Sequence, residues 1–117
     1  LKTIYTKEEF DELLATYSQL IFYVYSPWSG VSAMGLKLFK SLSEGKPQCT
    51  YIVIDNEFAN SFIYKWLRDQ EQFLGENNPR INKIKGAWIN GYGEVFGTEN
   101  GKLTWFEHLI HTLKLKM

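Results

Sequence analysis

Leu20-Ile21-Phe22-Tyr23-Val24-Tyr25-Ser26-Pro27-Trp28-Ser29-Gly30-Val31-Ser32 is the stretch on which the reading of this chain turns. Residues 20–25 form a short, β-prone run with no polar interruption, which predicts a central strand covered on both faces. Ser26-Pro27-Trp28-Ser29-Gly30 then breaks the run, because proline and glycine punctuate it and serine competes for backbone hydrogen bonds. Beyond the break, Val31, Met34, Leu38, Phe39 and Leu42 recur at helical spacing. They predict a helix over residues 31–42 with that set against a core, ending before Gly45 and Pro47.

The same logic extends in both directions. Residues 2–5 are strand-like, and Thr6 with Glu9 three positions later has the spacing of a capping box. A helix over residues 7–17 follows, with Phe10, Leu13, Leu14 and Tyr17 as its apolar stripe. Tyr51-Ile52-Val53-Ile54 forms the body of a strand over residues 50–55, and a longer helix is expected over residues 57–74 before the break at 75–79. Two strands, residues 86–90 and 94–98, are expected to make a hairpin around Gly91-Tyr92-Gly93. Thr104 and Glu107 repeat the capping-box spacing and predict a terminal helix carrying Trp105, Phe106, Leu109, Ile110 and Leu113. The order β-α-β-α-β-α-β-β-α implies right-handed parallel crossovers followed by an antiparallel pair, hence a mixed sheet between two layers of helices.

Composition sets the outer limits. A length of 117 residues fits one domain, residues 1–117, and 44% hydrophobic with 22% charged residues is the balance of an ordinary globular fold. Thirteen Lys+Arg against thirteen Asp+Glu leave no basic excess to hold a phosphate backbone, so no nucleic acid is expected. The apolar run 20–25 is far shorter than a bilayer span, so no membrane partner is expected either. Cys49 is the only cysteine, which excludes an internal disulfide and leans the localisation toward the cytoplasm, a removed signal peptide being invisible here. Aromatic residues reach 16%, enough to build a dense core and still leave tryptophan or tyrosine for a binding surface.

At Trp28-Ser29-Gly30-Val31-Ser32 the chain resembles the thioredoxins, in which a buried strand runs into W-C-G-P-C at the start of a helix. Ile81-Asn82-Lys83-Ile84-Lys85-Gly86 is similar to their I-R-G-I-P-T segment, and Gly91-Tyr92-Gly93-Glu94-Val95 to the K-N-G-E-V turn that follows it. Tyr51 to Asp55 resembles their third strand, which ends in aspartate. The resemblance runs over the whole chain and implies an α/β fold, a thioredoxin-like three-layer α/β/α sandwich with a mixed central sheet. The helix over 57–74 and the link after it are longer than that family requires.

The departures from the family carry the functional expectation. Thiol exchange needs a thiolate stabilised at the helix N-terminus and a second thiol that resolves the mixed disulfide. Ser29 and Ser32 stand at those two places, and a hydroxyl neither ionises near neutral pH without a strong base nor forms a disulfide. By the same resemblance, Tyr23 stands where the family has a buried acid and Lys85 where it has a cis-proline. With four catalytic parts missing together, natural loss is favoured over two cysteines replaced in a working enzyme. No catalytic residue, metal ligand or cofactor is assigned.

The expected function is therefore a non-redox thioredoxin-like domain that binds a protein or peptide partner. It would use the former active-site edge, Trp28, Ser29, Gly30, Val31, Ser32, Ile84, Lys85 and Gly86. The alternative is a thiol-disulfide oxidoreductase whose two active-site cysteines have been replaced by serine. Glutathione binding through Ser29 is a third reading, disfavoured because the chain lacks the all-helical second domain of glutathione transferases. Ser29 and Ser32 also have a plainer reading as helix caps. His108 and His111 are expected on the surface of the terminal helix, and Cys49 as an inert thiol.

Overall fold

The computed structural model of the chain describes residues 1–45, 50–55, 62–63, 65–70 and 93–108. Strand β1 (Lys2–Ile4) leads into helix α1 (Lys7–Thr16), whose start is built as the sequence predicts. The Thr6 hydroxyl accepts the Glu9 backbone N–H at 3.2 Å, and the Glu9 carboxylate accepts the N–H of Thr6 at 3.2 Å and of Tyr5 at 3.0 Å. Strand β2 (Gln19–Tyr25), helix α2 (Gly30–Gly45) and strand β3 (Thr50–Asp55) follow. Residues 62–63 and 65–70 are helical, in the middle of the long helix expected over 57–74.

Strands β4 (Glu94–Glu99) and β5 (Lys102–His108) complete a five-stranded sheet of order β1-β3-β2-β4-β5. The pairs β1–β3 and β2–β3 are parallel, while β2–β4 and β4–β5 are antiparallel. One face is covered by a single buried cluster of Ile4, Phe10, Phe22, Ile54, Ile63, Leu67 and Phe96, to which α1 and the helical residues 62–63 and 65–70 contribute. Its centre is aromatic: the Phe10 ring meets those of Phe22 and Trp66, each at 5.1 Å between centroids, and Phe22 stacks on Phe96 at 5.0 Å. The opposite face carries Tyr23, Tyr51, Val53 and Val95, packed against Phe39 of α2. The three layers expected from the sequence are therefore present, with β2 at the centre and covered on both sides.

Three expectations are corrected. Residues 104–106 form part of β5 and not the start of a terminal helix, so Trp105 and Phe106 sit on opposite faces of a sheet. His108 is the last residue of that strand. The cause lies at Asn100-Gly101, where φ angles of 52° and 79° make a two-residue hairpin turn that commits the next residues to pairing with β4. Second, the hairpin expected between 86–90 and 94–98 has its first strand outside the described residues, and the partners described for β4 are other strands. A strand has two edges, and those of β4 are taken by β2 and β5.

Third, α2 faces the core with Ser32, Gly35 and Phe39. Val31, Met34 and Leu42, expected inside, are exposed, and Leu38 is partly so. The sheet presents Tyr23 to this helix: its ring stacks on Phe39 at 5.3 Å between centroids, while its hydroxyl end leaves room only for a small residue at position 35, where an added methyl would overlap it. The steric match between Tyr23 and Gly35 thus rotates the helix away from the face that hydrophobicity alone selects. Cys49, His111, the strand expected at 86–90 and the residues beyond 108 lie outside the described residues.

Candidate functional site

Strand β2, the middle strand, ends at Tyr25 at the end of the sheet where α2 begins, and the turn Ser26-Pro27-Trp28-Ser29 joins them. Ser29 is the residue immediately before α2, and its hydroxyl accepts the Ser32 backbone N–H at 3.3 Å, the bond of a helix N-cap. The Ser29 N–H in turn donates to the Ser26 carbonyl at 3.0 Å, closing the turn. Ser32 is wholly buried, and its hydroxyl accepts the Ser26 N–H at 2.8 Å. Each serine thus satisfies a backbone donor that the turn would otherwise leave without a protein acceptor.

Beneath the turn lies Tyr23, also wholly buried. Its hydroxyl donates to the Ser32 carbonyl at 2.6 Å and lies 3.5 Å from the Ser32 hydroxyl. Gly35 bounds it on the helix side, and Gly93, with φ of 78°, bounds it where the chain enters β4; a Cβ at Gly93 would stand 2.8 Å from the Tyr23 oxygen. Burial pushes the hydroxyl up to about 12, with the negative charge of the buried Glu94 adding to the rise and the Ser32 hydrogen bond opposing it. A group with that value stays neutral at physiological pH and cannot serve as a general base there.

Above the turn the character reverses. Trp28 is 67% exposed, Met34 63% and Val31 36%, and they follow one another at intervals of three residues. Gly30, the first residue of α2, has nothing within 4 Å of where a Cβ would sit, so the helix start is open to solvent. The site therefore consists of a braced, hydrogen-bonded underside and an apolar outer surface. Among the described residues no three His, Cys, Asp or Glu side chains cluster as a metal site, and no helix is long and apolar enough to cross a membrane.

The five contiguous residues singled out in the sequence, Trp28 to Ser32, are brought together at this edge, but they divide by role. Trp28 and Val31 face solvent, while Ser29 and Ser32 hold the turn. Ile84, Lys85 and Gly86 lie outside the described residues. The described backbone that borders Tyr23 from the strand side is Gly93. Two residues were missed. Tyr23 had been read only as the lack of an acid, and Met34 as part of a core stripe. The signal for both was available in the pairing of a bulky strand residue with Ser32 and Gly35, two small residues at helical spacing.

No protein-family model and no curated protein sequence matches the chain. Solved structures do. A thioredoxin of Plasmodium falciparum superposes with a TM-score of 0.64 at 14% identity, over 99% of this chain and 95% of that one. Mitochondrial thioredoxin 3 of Saccharomyces cerevisiae, in its oxidised form, gives 0.64 at 13% identity over 97% and 91%. A mutant thioredoxin h of poplar gives 0.66 at 19% identity over 98% and 79%. The strand order, the parallel and antiparallel pairings and these superpositions agree that the chain has the thioredoxin fold.

Proposed function

We propose that this domain binds a protein or peptide partner through the edge at Trp28 and does not exchange disulfides. The observation that carries the reading is Trp28 itself, 67% exposed on a turn whose backbone is held by hydrogen bonds from Ser26, Ser29 and Ser32. A large aromatic side chain on a rigid support loses little freedom on binding, which is how interface anchors gain their energy. Val31 and Met34 extend the apolar surface along α2. Ile84, Lys85 and Gly86 belong to the same edge through the family resemblance alone.

The reductase reading finds less support in the chemistry. Its two sulfur positions are serines engaged in backbone bonds, and the group beneath them is a neutral phenol rather than a carboxylate. The test is affinity capture from native extract with the wild-type chain and a Trp28→Ala control. Partners lost in the control place the interface at this edge; partners retained in full overturn the proposal.

A further inference from the structure

We propose a second site at the far end of the sheet, a shallow cavity whose walls suit a small neutral polyhydroxylated ring of hexose size. The cavity has a volume of about 310 Å³ and is lined by Gln19, Ile21, Glu99, Thr104 and Trp105, at the start of β2 and along the β4–β5 hairpin. Gln19 opens β2 and Tyr25 closes it, so the cavity stands roughly 20 Å along the strand from the Trp28 turn. It is independent of that edge.

Register assembles the walls. Gln19 is the partner of Glu99, and Ile21 of Gly97, which on its other side is the partner of Trp105. Residues two apart on a strand share a face, so these positions gather on the face that carries Tyr23. Thr104 has no partner in β4; it is the extra residue of a bulge, and its hydroxyl donates to the Gly97 carbonyl at 3.2 Å. With no side chain at 97, the half-buried Trp105 indole lies across that glycine, its nitrogen edge where a Cβ would stand. An aromatic surface is thereby set beside an amide and a carboxylate.

The polar groups select the ligand. Among the described residues, the Gln19 amide, the Glu99 carboxylate and the Trp105 indole N–H make no hydrogen bond or ion pair. The carboxylate only accepts, the indole only donates, and the amide does both. A cation brings donors alone and an anion acceptors alone, and an apolar ligand strands all three groups. Lys102 is the partner of Glu99 across the hairpin, so the rim carries one charge of each sign and favours neither ion. Each hydroxyl of a sugar both donates and accepts, and the C–H face of its ring covers an indole. The volume is at the lower end for small-molecule sites, which suits one ring rather than an oligosaccharide.

Proton–nitrogen correlation NMR of the whole chain, titrated with millimolar glucose, galactose, mannose and N-acetylglucosamine, reads the Trp105 indole N–H directly, its peak assigned through Trp105→Phe. At least one sugar is expected to shift that peak and the Gln19 side-chain amide saturably while the Trp28 indole stays unmoved. Glu99→Gln, at an exposed position, should weaken that binding about tenfold, the loss of one charge-assisted hydrogen bond. Undiminished affinity in Glu99→Gln puts the sugar elsewhere and overturns the site. Shifts produced by tetramethylammonium or by an N-acetylated amino-acid amide, and not by the sugars, overturn the ligand class. No saturable shift with any sugar overturns the proposal and leaves the Trp28 reading standing.

Discussion

The Tyr23 hydroxyl donates a 2.6 Å hydrogen bond to the Ser32 carbonyl, tying the central strand to the first turn of α2 directly beneath the exposed Trp28 turn. This bond fixes the helix start relative to the sheet, and so positions the outer surface through which a partner would be recognised.

Because burial raises the folded-state value of Tyr23 from the ordinary 10 to about 12, the native state keeps its proton where the unfolded chain has lost it. Titration of the buried phenol therefore leaves stability unchanged below pH 10, and the native state loses stability as pH rises from 10 toward 12, by an amount on the order of 2–3 kcal/mol. Tyr23→Phe should be less stable than the wild type by about 1 kcal/mol at pH 7, the loss of one buried hydrogen bond. It should equal or exceed the wild type above pH 11. Denaturant unfolding of both proteins across this range checks the crossing; parallel curves would show that Tyr23 does not titrate with folding.

Gly35 of α2 faces the same hydroxyl, and a methyl there would overlap it. Gly35→Ala should cost about 1–3 kcal/mol despite the better helix propensity of alanine, because an overfilled contact outweighs the gain of about 1 kcal/mol. Tyr23→Phe removes the overlapping oxygen, so the penalty should shrink in that background. A double-mutant cycle by thermal or chemical unfolding measures the coupling. Additive effects would mean that the two residues do not share this contact.

What was legible in the sequence depended on whether one signal or two acted on a segment. At Thr6 and Glu9 the capping box agrees with the apolar stripe of Phe10 and Leu13, and helix α1 forms as expected except at Tyr17, expected in the stripe, which caps the helix end and is exposed. At residues 20–25 the unbroken apolar run had no competitor, and β2 is central. At Thr104 and Glu107 the same capping-box spacing competed with Asn100-Gly101 upstream, and the turn won because cross-strand pairing with β4 brings burial of Leu103 and Phe106 with it. The face of α2 was misread because hydrophobicity marks Val31, Met34 and Leu42, whereas the requirement to clear Tyr23 is a three-dimensional fit that no periodicity reports. The candidate edge at Trp28 to Ser32 is legible as a contiguous motif, but which of its residues face out and which brace the turn depends on that same fit.

The Asn100-Gly101 turn yields a direct prediction. Both residues lie at positive φ, 52° and 79°, where an L side chain other than asparagine or aspartate costs about 1–2 kcal/mol. Asn100→Gly should change stability by no more than a few tenths of a kcal/mol, whereas Asn100→Val should cost about 1–2 kcal/mol and broaden exchange at the β4–β5 amides. Amide hydrogen exchange at Thr98 and Leu103 reads the effect locally. Equal stability of the glycine and valine variants would exclude a turn of this type.

Restoring sulfur tests whether the site is a dormant catalyst. In the double variant Ser29→Cys/Ser32→Cys, the thiol introduced at 29 occupies an N-cap position, where the helix N-terminus should lower its value below that of a free cysteine. Iodoacetamide alkylation followed against pH measures that shift. Ser32 is wholly buried against a phenol that stays protonated up to about pH 12, so Tyr23 takes no proton near neutrality from a thiol introduced there. The variant should therefore be alkylated readily yet fail to accelerate insulin reduction by dithiothreitol. A further change of Tyr23→Asp, which puts a carboxylate and the space for water beneath position 32 in place of the phenol, should raise the rate above the double variant. Insulin turnover by the double variant alone, at the rate of an active thioredoxin, would show that Tyr23 is no obstacle and that the serines are the whole of what this fold lacks.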